Sequence, residues 1–370
     1  MKRFLAVLCT LTLSTAMFAG CGASSQNEAE TSDAKQETAV ARTTEAIDET
    51  TEFETEEIIL QEQEIKGAEP VDVNVVALKG PTAMGMVSFM EQAESGAITD
   101  NRYQFSIAAS VDEVPPMIVK GEVDIAAVPA NLASVLYNNT EGLVQVMAVN
   151  TLGVLYIVGT GDALTSAEEL RGKTIYASGK GATPEYALNY ILNENGIDPE
   201  NDVTIEWKSE HAECLSALLA DENAVAMLPQ PFVTTAQMKN DKVHVLMDLN
   251  EEWDKLQENS DTPSALLTGV VVVRKEFAEE YPEAVEAFLA HYKDSVEFVN
   301  SNNAEAAELV GKYEIVTAEV AKTALPACNI TYIDGDEMKE KLSGYLSVLY
   351  QQNPKAVGGT LPADDFYYER

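Results

Sequence analysis

The strongest constraint on the fold is an alternation of short β-rich runs and helical patterns that begins near residue 70 and begins again near residue 174. Residues 71–78 read as a buried strand, and 81–93 as a helix with Met84, Val87, Phe89 and Met90 as its apolar residues. Strand 103–109, helix 114–119, strand 123–128 and helix 131–137 follow, then β-runs at 143–150 and 153–158. Strand–helix–strand units of this length imply an α/β protein with a mostly parallel sheet and right-handed crossovers.

The second series opens with a short helix and turn at 166–172. It continues with strand 174–177, helix 184–195, strand 203–207, helix 212–221, strand 224–228, helix 232–239 and strand 243–247. Past a polar stretch at 250–262, residues 265–273 are strongly β, and the remainder reads as helix at 277–301, 304–313, 318–325 and 336–351. Helices with an apolar stripe and no sheet of their own must pack back on a sheet already built. The first lobe is therefore expected to be discontinuous, 70–160 with 263–370, around a second lobe at 161–262. The chain would cross between them near 158–161 and 263–269.

Ahead of this globular part, Lys2 and Arg3 precede a largely apolar run over 4–13 and then small residues to Gly20, the order of an export signal over 1–20. Phe18-Ala19-Gly20-Cys21 is similar to a bacterial lipobox, with Phe18 where such boxes usually carry Leu; the likeness implies diacylglyceryl attachment at Cys21. Residues 22–69 hold fourteen Asp and Glu against three Lys and Arg. Low hydrophobicity at that charge does not repay chain entropy, so 21–69 reads as a lipidated cysteine and a disordered acidic tether. Its reach would be about 40 Å. No later stretch approaches about 18 uninterrupted apolar residues, so lipid is the only membrane attachment expected. The chain's net charge of -37 argues against nucleic acid as a partner.

With Cys9 in the signal and Cys21 in the lipobox, Cys214 and Cys328 remain of four cysteines. They read as buried thiols, with pairing to each other as the alternative. Neither has metal-site spacing, and no metal or cofactor is expected.

Three loops at predicted strand ends carry the candidate binding chemistry, since ligands of open α/β sheets sit where strands end and helix N-termini offer free N–H groups. They are Leu78-Lys79-Gly80-Pro81-Thr82-Ala83-Met84-Gly85-Met86, Val128-Pro129-Ala130-Asn131, and Ala177-Ser178-Gly179-Lys180-Gly181-Ala182-Thr183-Pro184. Asn131 and Thr183 are expected as helix N-caps. Each loop alone is ordinary turn chemistry. Their recurrence at equivalent places in two α/β units is the more specific signal.

Residues 70–370 resemble the ABC-transporter solute-binding proteins of the nitrate, sulfonate and taurine type, which include receptors for thiamine pyrimidine precursors. The likeness is carried by 78–86, by Gly121-Glu122-Val123-Asp124-Ile125-Ala126-Ala127-Val128-Pro129-Ala130-Asn131, by Leu170-Arg171-Gly172-Lys173-Thr174-Ile175-Tyr176-Ala177, and by 268–282. The resemblance implies a two-lobed class II periplasmic-binding-protein fold with two interlobe crossovers. It also implies ligand contacts from Thr82, Met84, Ser110, Asn131, Ser178, Gly179, Gly181, Thr183 and Gln230. Trp207 is either a stacking wall for the ligand or part of the core. The implied partners are a small-molecule ligand and an ABC permease and ATPase, met on the extracytoplasmic face.

An enzyme is not read here. His211, His244 and His291 are scattered without a Ser or Cys partner in a motif. Gly172-Lys173-Thr174 has Ala167 where a phosphate loop needs glycine, and Gly179-Lys180-Gly181 lacks the third glycine of a dinucleotide loop. The rival reading is a lipoprotein that binds a ligand only to report it to a membrane partner.

Overall fold

The computed structural model describes residues 69–221, 224–258 and 264–370. The expected signal at 1–20, Cys21 and nearly all of the tether lie outside the described residues. The elements in chain order are β1 (Asp72–Leu78), α1 (Pro81–Met84), α2 (Val87–Glu94), β2 (Arg102–Ala108), α3 (Val114–Val119), β3 (Ile125–Pro129), α4 (Ala130–Asn139) and β4 (Val144–Leu152). Next come β5 (Leu155–Gly159), β6 (Thr174–Ser178), α5 (Thr183–Glu194), β7 (Thr204–Lys208), α6 (His211–Ala220), β8 (Val225–Pro229), α7 (Phe232–Lys239), β9 (His244–Asp248) and α8 (Leu249–Gln257). The chain finishes with β10 (Leu267–Arg274), α9 (Lys275–Glu280), α10 (Pro282–Ser301), α11 (Asn303–Lys312), α12 (Ala318–Ala324), β11 (Ile330–Ile333) and α13 (Gly335–Gln352).

These form two sheets, one ordered β11-β4-β10-β3-β1-β2 and the other β7-β6-β8-β5-β9. The pairs β1–β2 and β1–β3 are parallel, as are β6–β7 and β6–β8. The strand that arrives from the other sheet is antiparallel in each case: β5 against β8 and β9, and β10 against β3 and β4. The physical reason is geometric. A chain leaving one sheet at the carboxyl ends of its strands enters the second sheet at that same edge, and so runs the other way. The sheets are therefore mixed, where the sequence suggested mostly parallel.

Both faces of each sheet are covered, and the alternation along the strands shows which residue goes where. On β10, Val270 and Val272 join the cluster that holds α4 and α13, while Val271 and Val273 join the one that holds α2, α10 and α11. The first of these clusters continues into the second sheet, through Ile157 and Ile175 to Leu188, Ile191 and Trp253. The outer face of the second sheet packs on α6 and α7 through Val158, Leu228, Leu215 and Val233.

Four local readings are corrected. Residues 81–93 form two helices, because Ser295 Oγ donates to the Gly85 carbonyl at 2.8 Å and accepts from Phe89 N at 3.1 Å, serving the backbone groups at the break. The polar stretch after residue 250 contains α8, whose apolar stripe is Leu249, Trp253 and Leu256, with Asp248 as N-cap. Strand β11, only four residues, was hidden in a region that read as wholly helical. The first passage between sheets falls between Leu152 and Leu155, earlier than 158–161, because β5 pairs wholly within the second sheet. Cys214 and Cys328 are both buried and free.

Candidate functional site

The register lines up the first sheet's edge. Gly269 stands opposite Pro129 on one side and Thr151 on the other, and Ile330 is opposite Thr151 in turn. Leu78 ends β1 at the same edge, where the turn Lys79-Gly80 leads into α1 and Lys79 N donates to the Ala108 carbonyl at 2.9 Å. Thr82 is buried and its hydroxyl donates to the Leu78 carbonyl at 2.7 Å, which closes this turn. A Cβ at Gly269 would stand 2.4 Å from both Asn150 Oδ1 and Thr82 Cγ2, so only glycine lets those two side chains meet across β10. Gly269→Ala is expected to cost about 1–3 kcal/mol through overpacking, read as a lower urea midpoint at unchanged slope. Asn150 Nδ2 and the Tyr292 hydroxyl are buried beside each other.

The second sheet offers the matching edge. Ser178 ends β6, and Gly179 and Gly181 follow at φ +85 and +80, a left-handed backbone that a side chain would strain. Gly179 also lies under Pro184, whose Cγ would be 2.7 Å from an added Cβ. Gly181 N donates to Glu185 Oε2 at 2.6 Å. Ser178 is buried, with its hydroxyl 2.5 Å from Nδ1 of His211, the first residue of α6. The His211 ring lies 5.1 Å from that of Phe232, which opens α7. Burial holds the His211 pKa below its ordinary value, so the imidazole is neutral at pH 7. Gln230, after β8, accepts at Oε1 from the Thr234 hydroxyl and N–H at 3.0 and 3.3 Å.

Asn131 and Thr183, expected as N-caps, are not caps: Pro129 and Ala182 hold those places. They meet each other instead. Thr183 Oγ1 donates to Asn131 Oδ1 at 3.4 Å and accepts from the Tyr345 hydroxyl at 2.9 Å, while Asn131 Nδ2 donates to the Ala356 carbonyl at 3.4 Å. This chain ties α4 and α13 of the first sheet to α5 of the second. Gln352 Nε2 and Asn353 Nδ2 add bonds to Tyr186, at 3.0 Å to its carbonyl and 3.2 Å to its hydroxyl. Tyr345→Phe is expected to cost about 0.5–1.5 kcal/mol, measured by equilibrium unfolding.

The other expected contacts are dispersed. Met84 is wholly buried in the first sheet's core, its sulfur 3.9 Å from Cys328 Sγ. Ser110 is exposed and caps a short 3-10 turn with Glu113. Half-buried Trp207 lines, with Lys180, Glu185 and Asn189, a surface hollow of about 480 Å³ whose lining runs only from Lys180 to Trp207. Asn150 and His211 also stand at these edges and are not among the contacts expected from the sequence. The signal for His211 was available, since it opens the helix after a strand end, the rule that selected Ser178 and Asn131.

Arg102, Arg171, Arg274 and Arg370 are all engaged by carboxylates and lie away from these edges. Lys79 and Lys180 are the exposed cations of the edge loops. The described residues hold no group of three His, Cys, Asp or Glu suited to a metal ion, and no described helix is long and apolar enough to cross a membrane. The two edges thus offer neutral hydrogen-bonding groups with two lysines near by, an arrangement suited to holding a polar solute.

Comparison with known proteins identifies the fold and the family. An ABC transporter from Parabacteroides distasonis superposes with a TM-score of 0.64 at 23% identity, covering 80% of this chain and 99% of that one. The periplasmic aliphatic sulphonate binding protein SsuA from Escherichia coli gives 0.62 at 13% identity, covering 81% and 92%. At these identities the likeness establishes the periplasmic-binding-protein fold. The comparison with curated proteins gives no match. The model of the family described as "ABC transporter, phosphonate, periplasmic substrate-binding protein" matches residues 96–322. Its members bind solutes and are not enzymes. The chain belongs to this family of periplasmic substrate-binding proteins, as the substrate-binding component of an ABC import system.

Proposed function

We propose that the protein captures a small polar or anionic solute between the two sheet edges and delivers it to an ABC permease and ATPase. In this reading the sheets are the cores of two lobes, one of residues 70–152 with 264–370 and the other of the residues between. The lobes approach each other about the two passages, beside Gly153 and before Leu267. The observation that supports it is the register of the strands: the carboxyl ends of β1, β3, β6 and β8 all lie where the chain passes between sheets. Closure would follow because a solute touching both edges binds the closed form better than the open one. The contacts expected from the sequence divide accordingly. The loops after β1, β6 and β8 surround the solute, whereas Asn131 and Thr183 hold the lobes together beside it. Cys21 would carry the lipid that keeps the protein on the extracytoplasmic face.

The test is a thermal-shift panel of phosphonates, sulfonates, nitrate, pyrimidines and amino acids. One saturable hit is expected to stabilise the fold by about 2.7 kcal/mol at 100 times its Kd. A panel with no shift speaks against capture of these solute classes.

A further inference from the structure

We infer that Ser178 acts on the solute through His211, fixing the imidazole tautomer so that Nε2–H is presented as a hydrogen-bond donor to an acceptor oxygen of the solute. The inference rests on the capture reading above and assigns the second lobe's recognition group within it.

The hydroxyl of Ser178 is 2.5 Å from His211 Nδ1 and sealed from solvent, the residue being 2% exposed. Cys214, one turn along α6 and wholly buried, lies against the same hydroxyl. Two proton arrangements fit a neutral ring. In one, the serine donates to Nδ1, the thiol donates weakly to the serine, and Nε2 bears the ring proton. In the other, Nδ1–H donates to the serine, whose own proton is left to the sulfur. A thiol sulfur is a poor acceptor and an imidazole nitrogen a good one, so the first arrangement is lower in free energy. The N-terminus of α6 also disfavours an imidazolium. Nδ1 is the ring nitrogen taken up by Ser178, and His211 is only partly buried. It stands at the strand-end edge from which a solute would be contacted.

Ser178 is thus a positioning residue, and the tautomer is its direct readout. The chain has three histidines, so long-range ¹H–¹⁵N spectra of the full, ¹⁵N-labelled protein at pH 7.5 are tractable, with His211→Gln identifying the signal. The expected result is a bare Nδ1 and a protonated Nε2, with Ser178→Ala shifting the ring toward a mixture of tautomers. A protonated Nδ1 in the wild type, or a tautomer unmoved by Ser178→Ala, overturns the inference. The second arm uses methylphosphonate and methanesulfonate as probes in thermal-shift titrations. His211→Gln places an amide nitrogen near the Nε2 position and is expected to retain the shift. His211→Asn mimics only Nδ1 and is expected to weaken binding about tenfold. Equal loss in both variants overturns the donor role. If neither probe shifts the wild type, capture of these oxyanions fails, and the spectra alone decide the role of Ser178.

Discussion

Trp253→Ala is expected to lower the unfolding free energy by about 3–5 kcal/mol. Trp253 is fully buried on α8, its ring 4.4 Å from Tyr190 on α5 and 5.9 Å from Tyr345 on α13. It thereby joins the helical layer of the first sheet to that of the second. Its Nε1 donates to Ser264 Oγ at 3.0 Å, and that hydroxyl donates to Gln257 Oε1 at the same distance. Truncation removes the ring contacts, leaves a cavity at the junction and unpairs one acceptor. Trp253→Phe is expected to lose less, because it keeps much of the aromatic contact. Chemical unfolding followed by far-ultraviolet circular dichroism measures both. A loss under about 1 kcal/mol for Trp253→Ala would show that the junction repacks and is not a shared core.

Asp124→Ala is expected to cost a similar amount, about 3–5 kcal/mol, at the opposite end of the first sheet. Asp124 Oδ1 accepts from Arg274 Nη2 at 3.0 Å, and Oδ2 accepts from Asn74 N and Nδ2 at 2.9 and 3.2 Å. The Arg274 side chain is 15% exposed and its Nε lacks a partner, so losing Asp124 leaves a largely buried guanidinium with only exposed Glu276 beside it. Replacing the pair together, Asp124→Leu with Arg274→Met, is expected to recover much of the loss, since breaking a buried pair costs more than removing it. This end of β3 and β10 is remote from the strand edges that hold the candidate site. Solute affinity should therefore be unchanged in a variant whose stability falls, a separation that titration at low temperature can read.

The sequence showed the fold through its strand and helix periods, and what it concealed has local causes. The four-residue strand β11 gives too short a period to register, and its partner β4 is far away in the chain. Helix α8 is acidic on its exposed face, so composition masked the stripe at Leu249, Trp253 and Leu256. The break at Gly85 depends on Ser295, more than 200 residues later. The candidate site was legible as loops, because turn chemistry and strand ends are local. Side-chain partnerships were not. The mutual bond of Asn131 and Thr183 and the pairing of Ser178 with His211 each need two elements brought together by the tertiary fold. Met84 illustrates the reverse: a residue in the right loop can point into the core.

Capture between the lobes requires that one solute touch both sheet edges. Hydrogen exchange with and without the solute that gives the largest thermal shift tests it most directly. Protection is expected in 79–84 and 129–131 of the first edge together with 178–183, 209–214 and 229–234 of the second. Protection confined to one sheet, or to the surface hollow beside Trp207, would contradict capture between the lobes.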